Sequence, residues 1–537
     1  MDINTHGKSA GEALISLLMA YDVDTIFGIP GVHNVELYRG LKQSNIRHVL
    51  PRHEQGAGFM ADGYARATGK PGVCFTITGP GLTNIMTPIG QAYSDSVPVL
   101  VISSTLDLKD LGQNAGRLHE MQNQRNAAAT VTGMARIATA PRNIPELVAK
   151  ALSGFASARP RPAYIEIPMD VLKMPAGDGW SSRALASRMR ADPAAIEEAV
   201  QLLRKAKRPM LILGGGALDC TGAATRIAES LNAMVHTTVA GKGVIPEDHP
   251  LNLGALMPQA RTHELLAQAD VLLVAGSELS ETDFWIERIE LPGRLIRIDL
   301  DPHALSGRYP AQVAIQADAR QALEALAQNL AGGAANSAGN PAAAMDALRE
   351  AIQDSEDEPA RQLRPVIETL RKSLPRETLV ATDMTLIAYQ ANEQFPVYQP
   401  RSWLHPVGFG TLGYALPAAV GAKIGAPERP VAALLGDYGF QFTLPELGVA
   451  AELKLPIPVL MWNNNRLGAI QADMLSKGIE PTAVTMRNPD FQLMAKAWGC
   501  GAEQPANLTA LGEAVERALQ ADSPTLIEMT SAMADAG

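Results

Sequence analysis

At 537 residues, against roughly 100–200 per domain, the chain is long enough for two to four domains with full cores, which excludes a short disulfide-held peptide. Its 46 Lys and Arg against 56 Asp and Glu leave a formal charge of −10, and 46% apolar with 19% charged residues fits an ordinary soluble globular protein, so nucleic acid is not an expected partner. Three dispersed cysteines, Cys74, Cys220 and Cys500, exclude a disulfide framework or zinc cluster; without a secretory leader or an unbroken run of 18 apolar residues, a cytoplasmic location away from membranes is expected.

From the amino terminus, Phe27-Gly28-Ile29-Pro30-Gly31 reads as a strand end running into a glycine turn. A short strand at 48–50 leads through Arg52-His53-Glu54-Gln55-Gly56-Ala57-Gly58 into the helix FMADGYARA. VCFTIT at 73–78 reads as a buried strand ending at Gly79-Pro80-Gly81, and VPVLVIS at 97–103 as another. Residues 173–190 and 331–345 are rich in Gly, Pro and small side chains and read as linkers. Between them lie VLLVAGS at 271–277 and Leu213-Gly214-Gly215-Gly216, where Asp219 breaks the spacing of a dinucleotide fingerprint. The acidic run Glu350, Asp354, Glu356, Asp357, Glu358 reads as a solvated linker face, and VAALLGD at 431–437 and PIPVLMW further on as buried strands. Alternating strands and helices predict an α/β protein of three domains, 1–172, 191–330 and 346–537, each a mainly parallel sheet flanked by helices.

The outer blocks repeat a pattern. Gly63-Tyr64-Ala65 precedes VCFTITGPG, and Gly413-Tyr414-Ala415, offset by 413 − 63 = 350, precedes VAALLGDYG; VPVLV at Val97 recurs as IPVLM at Ile457, offset by 360. The first and third domains are therefore expected to be diverged copies of one fold.

Gly436-Asp437-Tyr438-Gly439 follows a buried strand and opens a helix, a turn suited to phosphate. Asn464 falls 464 − 437 = 27 residues later at the next strand end, so a carboxylate and an amide oxygen lie side by side at strand termini, a donor pair suited to Mg²⁺. Each motif alone also reads as a plain strand-to-helix turn or polar loop. Glu54 likewise reads either as a helix-start carboxylate favoured by the macrodipole or as part of a site, because three glycine turns share its block.

Together FGIPG, RHEQGAGFMADGYARATGKPGV, TGPGLTN, GTLGYALPAA and GDY…NNN make the chain resemble, over essentially its whole length, thiamine-diphosphate-dependent decarboxylases and carboligases of the acetohydroxyacid synthase and benzoylformate decarboxylase group. The resemblance implies a pyrimidine-binding domain, a middle domain and a diphosphate-binding domain, with sites shared between chains of a homodimer or homotetramer. It implies that Asp437, Asn464 and the Arg466 backbone carbonyl ligate Mg²⁺, and that Gly436, Tyr438 and Gly439 border the diphosphate. Glu54 is the implied partner of the aminopyrimidine ring, Gly410 supplies a carbonyl acceptor and Leu412 an apolar wedge under the cofactor. Tyr438 stands where the family has glycine; a modified loop with retained binding is expected, strained only if that glycine's positive φ is essential.

SELSETDFW at 277–285 differs from the flavin-binding segment of acetohydroxyacid synthases, so FAD is not expected. Val32, His33, His119, Glu120 and His405 fall in segments that border the family's substrate pocket, although each histidine also reads as a satisfied wall residue. The paired histidines of pyruvate decarboxylases have no counterpart at Thr76-Ile77-Thr78-Gly79. The activity implied is decarboxylation of a 2-oxo acid to an aldehyde and CO₂, the substrate 5-guanidino-2-oxopentanoate, its cationic tail met first by Asp283 and Glu281 and in reserve by Glu120. Acetolactate-type carboligation of pyruvate is the alternative.

Overall fold

Runs such as Gly72–Thr76 and Val99–Thr105 are buried at every position, as strands covered on both faces must be. The computed structural model describes residues 2–332 and 340–533 and arranges them around three sheets in which every strand pair is parallel. The first contains β1 (Thr25–Gly28), β2 (Arg47–Val49), β3 (Gly72–Thr76), β4 (Val99–Thr105), β5 (Met134–Ile137) and β6 (Ala163–Pro168) in the order β2-β1-β3-β4-β6-β5. The second contains β7 (Pro209–Leu213), β8 (Met234–Thr237), β9 (Val271–Ala275), β10 (Arg294–Asp299) and β11 (Val313–Gln316), ordered β11-β10-β9-β7-β8. The third contains β12 (Leu379–Thr382), β13 (Trp403–Leu404), β14 (Val431–Gly436), β15 (Pro458–Trp462), β16 (Gly501–Glu503) and β17 (Thr525–Met529), ordered β13-β12-β14-β15-β17-β16.

Subtracting eleven from each label of the third sheet reproduces the order of the first. The repeated strand segments occupy equivalent places: VPVLV feeds β4 and IPVLM feeds β15, each the fourth strand of its domain. The Gly-Tyr-Ala segments do not: Gly63-Tyr64-Ala65 lie inside the helix Glu54–Thr68, whereas Gly413 and Tyr414 precede the helix Ala415–Gly425, and these two helices pack directly on each other. A Cβ on Gly63 would stand 2.0 Å from the Ala418 carbonyl oxygen and one on Gly421 1.8 Å from that of Met60, so glycine at both crossings lets backbone meet backbone. A buried polar cluster closes the joint. Asp62 accepts from Arg66 at 2.6 Å and from the Tyr414 hydroxyl at 2.6 Å, and Arg66 reaches Asp95 at 2.7 Å.

Two expectations about connections need correction. Residues 341–345, read as linker, belong to the helix Pro341–Asp354, capped by Asn340, because an alanine run is a strong helix former once a cap and an apolar face are supplied; residues 333–339 of that linker, like 534–537 at the end of the third block, lie outside the described residues. The segment 173–190 is irregular but begins docked: Trp180 is buried and its carbonyl accepts from Ile3 N–H at 2.8 Å. Within the acidic run, Glu356 pairs with Arg364 and Asp357 caps the helix Glu358–Ser373, so these two are structural rather than merely solvated.

Candidate active site

Parallel strands deliver their carboxyl ends to one edge of each sheet, and both candidate clusters lie at such edges. In the first domain the turn after β1 is held by Asn34, whose Oδ1 accepts from Gly31 N–H at 2.7 Å and whose Nδ2 donates to the Ile29 carbonyl at 3.0 Å. This brings His33 against His119, ring centroids 4.9 Å apart and edge to face. His33 Nδ1 is buried without a partner, and burial together with His119 lowers the proton affinity of His33. Glu54 is the first residue of its helix, nearly buried, and accepts from Asn84 Nδ2 at 2.9 Å. Nearby, Gly79 N–H donates to Gln124 Oε1 at 2.8 Å; Gln124 Nε2 in turn donates to the Tyr164 hydroxyl, and that hydroxyl to Glu166. Burial pushes Glu166 up to about 7.

In the third domain Asp437 ends β14 and starts the short helix Asp437–Phe442. Its Oδ2 accepts from Asn465 N–H at 2.9 Å and from Asn488 Nδ2 at 2.6 Å, while burial raises its proton affinity. Asn464 Oδ1 takes a 3.3 Å bond from Arg466 N–H. A buried carboxylate, an amide oxygen and the adjacent Arg466 carbonyl form a donor set of hard oxygens that fits a small divalent cation and, beside it, a diphosphate. Tyr438 is helical and absent from the residues with positive φ, so the strain considered for a non-glycine residue does not arise; its ring lies 5.4 Å from that of Phe442.

Gly410, with φ of 66°, and Leu412 lie on the loop before the helix Ala415–Gly425. That loop is anchored by Asp383 at the end of β12, whose carboxylate accepts from Met384 N–H at 2.8 Å and from Gly413 N–H at 2.9 Å, burial raising it to about 6. Sequence reasoning missed Asp383 and Asn488. The first had a visible signal, since LVATD ends a strand as VAALLGD does; Asn488 lies in an irregular stretch 51 residues beyond its partner.

The remaining candidates scatter. Val32 is exposed, and Glu120 accepts from the N–H groups of Ala115 and Arg117 at its own loop. Glu281, Asp283 and His405 line a cleft of about 630 Å³ between the domains that has neither Glu54 nor Asp437 in its wall. There Asp283 closes a capping box, its Oδ2 accepting from Ser280 N–H at 3.0 Å and from the Ser277 hydroxyl at 3.3 Å, so this carboxylate, the first choice for a cationic tail, already serves the chain's own turn. Burial lifts it to about 6. Among the described residues the Glu281 side chain has no hydrogen bond or ion pair, whereas Glu278 pairs with Arg159. His405 is buried with Nδ1 2.7 Å from the Thr382 hydroxyl, and burial lowers it to about 3, keeping the ring neutral. Glu54 and Asp437 share no hydrogen bond or ring contact among the described residues of one chain.

Residues 8–130 match the N-terminal TPP binding domain of thiamine pyrophosphate enzymes, residues 196–326 their central domain and residues 383–529 their C-terminal TPP binding domain. The chain is 50% identical over 530 residues, 98% of its length and 94% of the relative's, to the probable 2-ketoarginine decarboxylase AruI of Pseudomonas aeruginosa. It is 32% identical to the acetolactate synthase large subunit of Corynebacterium glutamicum, covering 98% of this chain and 88% of that one. It is also 32% identical to the large subunit of acetolactate synthase isozyme 3 of Escherichia coli, covering 91% and 88%. No helix among the described residues is long and apolar enough to cross a membrane. With its strand-end carboxylates, its duplicated outer sheets and these matches over nearly its full length, the chain belongs to the thiamine pyrophosphate enzymes.

Proposed function

We propose that the protein decarboxylates a 2-oxo acid without oxidation, and that the acid is 5-guanidino-2-oxopentanoate, also called 2-ketoarginine, yielding 4-guanidinobutanal and CO₂ in the cytoplasmic breakdown of arginine's transamination product. The observation that carries this reading is the 50% identity across 98% of the chain to a protein bearing that name, against 32% to the two acetolactate synthases.

When bound, thiamine diphosphate supplies the electron sink for the pair released as CO₂ leaves. Asp437, Asn464 and the Arg466 carbonyl would hold Mg²⁺ against its diphosphate, with Gly436, Tyr438 and Gly439 forming the turn. The Glu54 carboxyl holds and exchanges a proton at the aminopyrimidine ring; the Gly410 carbonyl accepts a hydrogen bond there, and Leu412 supports the ring system by contact. His33 and His119, beside the turn after β1, face the substrate. The partner of the guanidinium is Glu281, whose carboxylate is uncommitted, with Glu120 as second choice. A guanidinium offers five donors in a planar fork and pairs bidentately with such a group, worth on the order of 2–4 kcal/mol when partly desolvated.

The competent unit in this reading is a homodimer or a homotetramer made of two such dimers, Glu54 of one chain meeting Asp437 of another. Support comes from apolar side chains around both clusters that one chain leaves open: Val32 is 71% exposed, Leu118 63%, Phe409 51% and Phe442 48%. A panel of 5-guanidino-2-oxopentanoate, pyruvate and benzoylformate, with CO₂ and organic product both quantified for wild type and Glu281→Gln, tests the reading. Preference for pyruvate with acetolactate as product would replace it by carboligation. An unaltered preference in Glu281→Gln would return the tail to Glu120.

A further inference from the structure

Glu446 lies on the third domain and is almost wholly buried, yet its carboxylate serves the first. Its Oε1 accepts from Arg52 N–H at 3.1 Å and from His53 N–H at 3.0 Å, and its Oε2 from Arg52 N–H at 3.1 Å. These amides immediately precede Glu54, the residue that opens the helix Glu54–Thr68. The approach is close enough to fix the residue two places beyond Glu54: a Cβ on Gly56 would fall 2.1 Å from Glu446 Oε1, so only glycine coexists with the carboxylate in its present place. The Arg52 side chain turns away to pair with Glu452, which leaves the backbone N–H groups as the partners of Glu446.

We propose that Glu446 is the positioning residue for Glu54: by pinning the two amides that precede it, this carboxylate sets the height and direction from which the Glu54 side chain leaves its helix. The proposal rests on the reading of Glu54 as the proton-exchanging carboxyl. Glu446 itself touches neither substrate nor cofactor in this assignment. Its reach runs from the domain that carries the diphosphate turn to the domain that carries Glu54 within one chain, so the entry to the Glu54 helix depends on how these two domains dock. A displacement of about 1 Å at a reacting group is enough to lower a rate by roughly two orders of magnitude, which makes such an anchor kinetically visible.

The test compares the holoenzyme with Glu446→Ala, Glu446→Gln, Gly56→Ala and Glu54→Gln, measuring kcat, KM, cofactor affinity by calorimetric titration, and amide hydrogen exchange over residues 50–56. Glu446→Ala is expected to lose roughly 10- to 100-fold in kcat while KM and cofactor affinity stay within about twofold, and the Arg52 and His53 amides should lose protection. Glu446→Gln keeps a carbonyl acceptor and should recover most of the rate. Gly56→Ala, although alanine is the better helix former, should mimic Glu446→Ala because its methyl displaces the carboxylate. Wild-type kcat in Glu446→Ala, or a glutamine variant as slow as the alanine one, would overturn the proposal. If Glu446→Ala fails to fold, Gly56→Ala decides, and a wild-type rate there has the same force. Undiminished turnover in Glu54→Gln is the distinct outcome that removes the role of Glu54, and with it anything for Glu446 to position.

Discussion

Asp383 stands against Gly439 so closely that a Cβ on Gly439 would lie 2.9 Å from its Oδ2. The same carboxylate holds Met384 and Gly413 N–H, so one side chain joins the loop of Gly410 and Leu412 to the turn of Asp437. Removing it strands buried donors, at about 1–3 kcal/mol for each unsatisfied group. Asp383→Ala is therefore expected to lower the thermal midpoint and weaken thiamine diphosphate binding at least about tenfold, and Asp383→Asn, retaining one acceptor oxygen, to fall between. Calorimetric titration of both variants checks this; cofactor affinity equal to wild type in Asp383→Ala would mean that the loop holds its shape unaided.

Cation removal follows from the donor set at Asp437. Under the proposed assignment chelation should abolish turnover and Mg²⁺ restore it, because a diphosphate held near the buried Asp437 carboxylate would need a cation to offset the like charges. Asp437→Ala is expected not to recover with Mg²⁺ at concentrations that restore wild type. Cofactor retention at wild-type affinity in that variant would contradict the placement.

Tyr438 gives a prediction that separates a strained turn from a relaxed one. Because it is helical rather than left-handed, replacing it with glycine relieves no strain; it removes the ring facing Phe442 and puts glycine inside a helix, a loss of about 1 kcal/mol. Tyr438→Gly should lower the thermal midpoint without tightening cofactor binding, a comparison that calorimetry and thermal denaturation make directly.

What was legible in the sequence was what is local. β3, β4, β9, β14 and β15 announce themselves as apolar runs, and the duplication showed through in VPVLV and IPVLM, which feed β4 and β15, whereas Gly421, the glycine that answers Gly63 where the two helices cross, stands outside both repeated segments. Asp437 and Asn464 were readable because each ends a strand. Glu446 was not, since its amide partners lie 393 and 394 residues away and nothing in ELGVAAE distinguishes it from a solvent-facing helix-start glutamate. Asp283 carried a second signal of the local kind: Ser280 and Asp283 have the spacing of a capping box, and the carboxylate does serve that turn.

Glu166 allows a pH prediction with a definite sign. Burial raises it to about 7 in the folded chain from a reference value of 4.5, with the bond from Tyr164 opposing the rise. Between these values the folded state keeps a proton that the unfolded state has released, so the contribution of this group to stability is greatest below about pH 4.5 and is lost as pH rises through 7. From pH 5 to pH 8 the loss is of order 2–3 kcal/mol. Glu166→Gln has the shape of the protonated acid, keeps an acceptor for Tyr164 and cannot ionise. Its thermal midpoint should therefore lie near that of wild type at pH 5 and rise relative to wild type as the pH approaches 8. A constant difference between the two proteins across this range would show that Glu166 is ionised in the folded chain throughout, with Arg125 or solvent supplying the charge balance that burial withholds.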